Sequence, residues 1–133
     1  MERVIVWYLR MSVIYFVLGV VTGFALLFWP DETLYYIPVH VHLNLLGFMT
    51  MMIYGVGYHI LPKFSGVFIH SPRIMNIQFW VANAGLIGMA ISWPFMLRGE
   101  SEVPLIFFSF LSVVAVVLFA YNMLKTIKPA GAA

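Results

Sequence analysis

Four uninterrupted runs of uncharged and mostly apolar residues constrain what this chain can fold into. The runs cover residues 11–30, 33–62, 74–97 and 103–124. Each has roughly the 20 residues that an α-helix needs to cross the hydrocarbon core of a bilayer. Hydrophobic residues make up 63% of the 133 residues and charged residues only 9%, a balance that excludes a water-soluble domain. The sequence therefore predicts an all-α membrane protein with four transmembrane helices.

The predicted spans cover about residues 4–29, 38–61, 73–97 and 103–125. Short connections between them favour one up-down-up-down bundle, a single membrane domain over residues 1–133. The first span is too long for a cleavable signal peptide and lacks a small-residue cleavage site, so we expect it to be retained. Prolines are expected at the span ends, with one exception inside the third span. The terminal prolines are Pro30, Pro38, Pro62, Pro72 and Pro104, and the internal one is Pro94.

Basic residues fall on one side of this predicted bundle and acidic residues on the other. The basic side holds Arg3, Arg10, Lys63, Arg73, Lys125 and Lys128, and the acidic side holds Asp31, Glu32, Glu100 and Glu102. Among the basic residues, only Arg98 departs from the pattern. Because basic loops stay on the inner side, both termini are predicted to be cytoplasmic. We expect a multi-pass protein of a prokaryotic inner membrane, surrounded by lipid and without a nucleic-acid partner.

The second span carries polar residues that are unusual in a hydrophobic helix. His40, His42 and Asn44 lie near its predicted outer end, and His59 lies near its inner end. An unpaired polar side chain in hydrocarbon costs a few kcal/mol, which makes these residues functional candidates. The alternative is that His40 and His42 reach water or lipid headgroups at the interface.

The polar and small residues of the second span form one stripe along a regular helix, which turns by about 100° per residue. The stripe consists of His40, Asn44, Gly47, Met51, Tyr54 and Tyr58. His42 is rotated by about 200° from His40, so the two imidazoles cannot bind one ion. Either they serve two faces, one inside the bundle and one toward a second copy of the chain, or only one of them is a ligand.

The side chains available as ligands favour haem over other metal groups. The chain has no cysteine, which excludes thiolate sites, iron–sulfur clusters and covalent haem attachment. Zinc usually needs three or four protein ligands, and the acidic residues lie in loops or near the termini. Haem supplies its own four nitrogens, fits between apolar helices and needs only one or two axial histidines. Haem b is therefore the expected cofactor.

The middle of the chain resembles a known family. Residues 40–62 (HVHLNLLGFMTMMIYGVGYHILP) and 71–80 (SPRIMNIQFW) resemble the second and third transmembrane helices of subunit I in the haem–copper oxidase and nitric oxide reductase superfamily. The Gly-Val-Gly at 55–57 and the Leu-Pro at 61–62 match the oxidases, and the His-Leu-Asn-Leu-Leu at 42–46 matches the nitric oxide reductases. The resemblance implies the family's four N-terminal helices in a short, stand-alone relative.

The resemblance also implies that a histidine near the outer end of the second helix is an axial ligand of haem iron. The Asn-Leu-Leu motif favours His42, and the polar stripe favours His40. Counting from the glycine–proline block does not distinguish them. Asn44 lies in the same motif, and Arg98, near the same end, is a candidate partner for the haem carboxylates, with Trp93 as a possible neighbour.

Family members have about a dozen helices, and the later ones carry the second axial histidine and the ligands of the second metal. This chain lacks those helices, so we do not expect an autonomous oxygen- or nitric-oxide-reducing enzyme. A second copy, another respiratory-chain subunit or a gas would supply the sixth ligand, and a homodimer is the simplest solution. The expected function is a membrane b-type cytochrome for electron transfer or gas sensing. The alternative is a haem-free accessory subunit of a larger oxidase or reductase.

Two further features of the sequence lead to predictions, namely the remaining histidines and a pair of glycines in the first span. His59 and His70 belong to the inner side, too far from His42 to share its haem. Gly19 and Gly23 form a GxxxG pair, which is typical of close helix packing in membranes.

Overall fold

The computed structural model describes residues 2–127 and shows four long helices joined by short connections. Helix α1 spans Arg3–Ala25, α2 spans Pro30–Phe64, α3 spans Pro72–Leu97 and α4 spans Val103–Thr126. All four are long and apolar enough to cross a membrane, and residues 2–127 contain no strand. The predicted all-α class with four spans is confirmed.

Helix α2 is the most irregular of the four. It begins with a 3₁₀ turn at Pro30–Glu32, continues as α-helix over Thr33–His42, widens into π-helix over Leu43–Thr50 and returns to α-helix over Met51–Phe64. It is longer than the predicted span 38–61 because hydropathy marks the part of a helix in lipid and not where the helix ends. Acidic side chains at its first turn favour an earlier start by complementing the helix dipole.

Two prolines expected at span ends lie inside α2. Pro38 follows the first turn of the α-helical segment, and Pro62 precedes the end of the helix by two residues. Each proline removes one i→i−4 hydrogen bond, and the helix continues through both residues at that cost. Pro94 lies inside α3, as predicted, and Pro72 and Pro104 lie in the first turns of α3 and α4.

The helices pack in an up-down-up-down arrangement. Helix α1 lies along α2, the N-terminal half of α2 lies against α3, and α3 and α4 form the most extensive pair. Helices α1 and α3 run parallel, and two hydrogen bonds join them at different depths of the bundle. Tyr8 Oη donates to Met75 O at 3.0 Å, and Tyr15 Oη donates to Asn83 Oδ1 at 2.6 Å. A Cβ added to Gly85 would lie 2.6 Å from Ser112 Oγ, so α4 approaches the backbone of α3 closely.

One end of the bundle carries most of the basic residues. Arg3, Lys63, Arg73 and Lys125 lie at or next to the four helix ends that meet there. Lys128, which was assigned to the same side, lies outside the described residues. The assignment of this end to the cytoplasm remains a prediction from the charge pattern, and we call it the basic end.

Buried amides tie α2, α3 and α4 together near the basic end. Asn122 Oδ1 accepts from Ser71 N at 3.0 Å, and its Nδ2 donates to Ser71 O at 2.9 Å. The same Nδ2 lies 3.4 Å from Tyr58 Oη, which donates to Gln78 Oε1 at 2.6 Å. Asn122 and Gln78 are completely buried. Because hydrocarbon offers no competing hydrogen bonds, these contacts fix how α4 docks on its neighbours.

Removing the Asn122 amide should therefore weaken the bundle. We expect Asn122→Ala to lower the free energy of unfolding by about 1–2 kcal/mol, because Ser71 loses partners for its N–H and its carbonyl. Unfolding in mixed micelles by titration with dodecyl sulfate measures the change. The matched control is Asn76→Ala, since Asn76 is exposed and donates only to Pro72 O of its own helix. An equal loss in both variants would contradict the role of Asn122.

Candidate functional site

The two neighbouring histidines of α2 are half-buried at the end of the bundle opposite the basic end. Each places its Nδ1 against a backbone carbonyl. Nδ1 of His40 lies 2.7 Å from Gly19 O on α1, and Nδ1 of His42 lies 2.6 Å from Pro38 O, one turn earlier on its own helix. Both distances are those of good hydrogen bonds.

These bonds determine which nitrogen carries the proton in each neutral ring. A carbonyl oxygen only accepts, so Nδ1 of His40 and of His42 must donate. The neutral imidazole then carries its lone pair on Nε2, which is free to bind a metal or accept a proton. An Nδ1–H bonded to a carbonyl is the usual second-shell arrangement of metal-binding histidines. Both residues therefore have the tautomer that an iron ligand requires.

His40 and Asn44 occupy the contact between α1 and α2. A Cβ added to Gly23 would lie 2.6 Å from Cε1 of His40, and one added to Gly19 would meet the amide of Asn44. Asn44 Nδ2 donates to His40 O at 2.8 Å, so this amide is used within α2. The expected close packing at the glycine pair is confirmed. The space that the glycines leave is filled by polar side chains of the predicted stripe.

His42 faces a different neighbour. Its ring lies 5.8 Å from the Trp93 ring on α3, centroid to centroid, with 34° between the planes. Nε1 of Trp93 is buried and has no hydrogen-bond partner among residues 2–127. A buried donor without an acceptor is rare in native structures. The α2–α3 contact therefore holds an imidazole with a free lone pair and, next to it, an indole with a free proton.

The π-helical segment begins directly after His42. In and around this segment every fourth residue of α2 is buried, namely Val39, Leu43, Gly47 and Met51. Four residues of α-helix turn about 40° beyond a full circle, so a regular helix would carry these positions out of the core. The wider π turn keeps them on one face, and π segments are frequent at functional sites. The 100° rule missed this feature, although the four-residue spacing of the apolar and small residues was a signal for it.

The structure places Arg98 at the same end of the bundle as His42. It directly follows α3, five residues beyond Trp93. Its guanidinium forms an ion pair with Glu32 and lies 4.4 Å from the Tyr35 ring centroid. Arg98 therefore ties the end of α3 to the start of α2. That Arg98 binds a carboxylate of haem stays a prediction. A haem carboxylate at this place would share the Arg98 guanidinium with Glu32.

The other two histidines lie at the basic end. Lys63 Nζ donates to His59 Nε2 at 3.1 Å, and His70 is exposed in the connection between α2 and α3. Across residues 2–127 the structure groups no three His, Asp or Glu side chains into a cluster that could hold a metal ion. The histidines of the described residues are therefore separate imidazoles that do not belong to a multi-residue metal site.

The comparisons with known proteins give one partial likeness. A stretch of 49 residues, 36% of the chain, is 39% identical to Cbb3-type cytochrome c oxidase subunit CcoN1 of Stutzerimonas stutzeri. The stretch covers 10% of that protein, so the chain spans only a small part of this curated relative. No protein-family profile and no solved structure matches the chain. The chain is a multi-pass membrane protein with partial similarity to a respiratory oxidase subunit.

The proton positions can be checked directly. We expect nitrogen NMR of histidine-labelled protein, prepared without added cofactor, to show protonated Nδ1 and unprotonated Nε2 for both His40 and His42, because each Nδ1 faces a carbonyl. His40→Gln and His42→Gln assign the two sets of signals by removing one set each. A proton on Nε2 of either ring would contradict the hydrogen-bond assignment.

Proposed function

We propose that this chain is a haem b-binding membrane cytochrome that transfers electrons or senses a gas in the inner membrane of a prokaryote. The observation that carries the proposal is the pair of Nδ1–carbonyl bonds at His40 and His42, which leave Nε2 available to iron. The partial likeness to a cytochrome c oxidase subunit supports it independently.

Of the two histidines, we assign the iron to His42. The ring of His40 is wedged against the α1 backbone at Gly23, where a macrocycle would compete with α1 for space. His42 takes its orienting bond from its own helix, so its position does not depend on α1. It also lies beside the unpaired indole proton of Trp93.

The residues around His42 fit haem in three respects. The Pro38 carbonyl accepts the Nδ1 proton, which orients the ring and leaves the lone pair on Nε2. The Nε1–H of Trp93 and the guanidinium of Arg98 are donors at the same end of the bundle as His42, suited to the two carboxylates at the edge of haem. When bound, haem iron supplies one-electron chemistry between its ferric and ferrous states.

We further propose that the working unit is a homodimer. His42 would hold the iron from one chain, and His42 of a second copy would hold it from the other, because a two-fold axis presents the same face twice. A stripe of exposed apolar residues runs along α2 next to His42 and is suited to such a contact. The stripe consists of Ile37, Val41, Leu45, Met49 and Ile53.

Substitution of the histidines tests the assignment. Purified protein supplied with haem should show a Soret band and a reduced α-band, and native mass spectrometry should give the mass of two chains. We expect His42→Ala to lower haem affinity at least tenfold and the double variant with His40→Ala to abolish binding, because no axial nitrogen remains. His59→Ala is the control and should retain the spectrum, since His59 lies at the basic end.

Two results would contradict the proposal. Retention of both bands in the double variant would exclude His40 and His42 as ligands. Colourless protein that cannot take up haem and co-purifies with an oxidase would instead support a haem-free accessory subunit. Loss of haem in the His40→Ala variant alone would move the ligand to His40.

The role of Trp93 can be separated from that of His42. Trp93→Phe keeps an aromatic ring beside His42 and removes the indole proton. We expect the variant to bind haem about tenfold more weakly with the axial histidine retained, the size of effect seen when an outer-shell partner is lost. Haem titration measures the affinity, and the unchanged α-band position reports the ligand. The control is Trp80→Phe, an exposed tryptophan on another face of α3. Equal affinities for Trp93→Phe and the unsubstituted protein would refute this role.

A further inference from the structure

A cleft opens between α1 and α3 on the side away from α4. Its volume is about 390 Å³, within the range of small-ligand sites. The cleft is lined by Trp7, Met11, Phe79, Trp80, Asn83 and Ile87. Its surface is almost entirely apolar, and the Trp80 side chain is 70% exposed at its edge. The cleft therefore accepts hydrocarbon.

Both polar atoms of the one amide in the lining already have a hydrogen-bond partner. Asn83 Oδ1 accepts from Tyr15 Oη at 2.6 Å, and Asn83 Nδ2 donates to Phe79 O at 2.7 Å. The lining therefore offers few sites for hydrogen-bonding a polar head such as that of a quinone. Between Phe79 and Ile87 the cleft extends for about 12 Å along α3. It thus runs parallel to the acyl chains of a bilayer.

A cation lies beside the mouth of the cleft. The Arg10 guanidinium carbon is 5.4 Å from the centroid of Trp7, which lines the cleft. A second, shallow groove on α1 includes both Arg10 and Trp7. Within residues 2–127, Arg98 is paired with Glu32, and Arg10 has no carboxylate partner.

The position of Arg10 calls for an anion. It lies inside a transmembrane helix, where an unpaired charge is costly. Basic residues next to clefts between transmembrane helices are typical binding places for anionic lipid headgroups.

From this combination we infer that the α1–α3 cleft binds one anionic phospholipid. The phosphate lies on Arg10, and one acyl chain lies in the cleft between Trp7 and Trp80. A neutral zwitterionic lipid satisfies the apolar lining but carries no net charge to complement Arg10. The site is independent of haem, because its residues lie on α1 and α3 toward the basic end.

Tryptophan fluorescence tests this lipid site. The double variant Trp29→Phe, Trp93→Phe leaves Trp7 and Trp80, which line the cleft, as the only tryptophans. It is placed in vesicles of unlabelled phosphatidylcholine with increasing fractions of lipid brominated on its acyl chains, which quenches nearby indoles. We expect brominated phosphatidylglycerol to reach half-maximal quenching at about a fivefold lower fraction than brominated phosphatidylcholine, the effect of one lipid–cation contact.

Three further variants assign the effect to Arg10. Arg10→Gln should remove the preference for phosphatidylglycerol, and Arg10→Lys, which keeps the charge, should retain it. Arg3→Gln is the control, since Arg3 lies at the first residue of α1 and outside the cleft lining, and it should also retain the preference. Equal quenching by the two brominated lipids, or an unchanged preference in Arg10→Gln, would overturn the inference.

Discussion

The hydrogen bond from an imidazole Nδ1 to a backbone carbonyl is the interaction on which the site in α2 depends. Hydrocarbon offers a polar side chain no water, so His40 and His42 must each be satisfied by the protein. The bonds to Gly19 O and Pro38 O do this with one nitrogen and leave the other nitrogen basic. The contact that satisfies each histidine within the bundle thus also leaves the lone pair of its Nε2 unused.

The rest of the bundle uses its polar groups differently. Tyr15 with Asn83, and Asn122 with Ser71, are hydrogen-bonded pairs that join one helix to the next. Such pairs fix helix positions because lipid offers no other partner. At the α2–α3 contact, by contrast, Trp93 keeps an unused proton beside the ring of His42. Gln78 Nε2, in the cluster around Asn122, is the other buried donor without a partner among residues 2–127, so unused donors occur both at a contact between helices and at the place we assign to the cofactor.

Much of the fold could be predicted from the sequence, because the length of an apolar run directly measures whether a helix crosses a bilayer. The glycine pair of α1 was also predicted to allow close packing, since small residues have one dominant use in membrane helices. The start of α2 at Pro30 and its π segment could not be obtained in this way, because hydropathy does not mark helix ends and a fixed rotation per residue assumes a regular helix. The hydrogen-bond partner of His40, Gly19 O, lies on another helix, which no local pattern reveals.

The π segment also bears on how this helix can change over evolution. A π turn holds about one residue more than an α turn, so residues 43–50 store surplus chain within a continuous helix. Loss of one residue there would tighten the turn and leave the two flanking α-helical parts nearly in their original orientation. Loss of one residue elsewhere in α2 would rotate everything beyond it by about 100°. Length variation between homologous helices should therefore be tolerated in this segment, where alignments of this region should place their gaps.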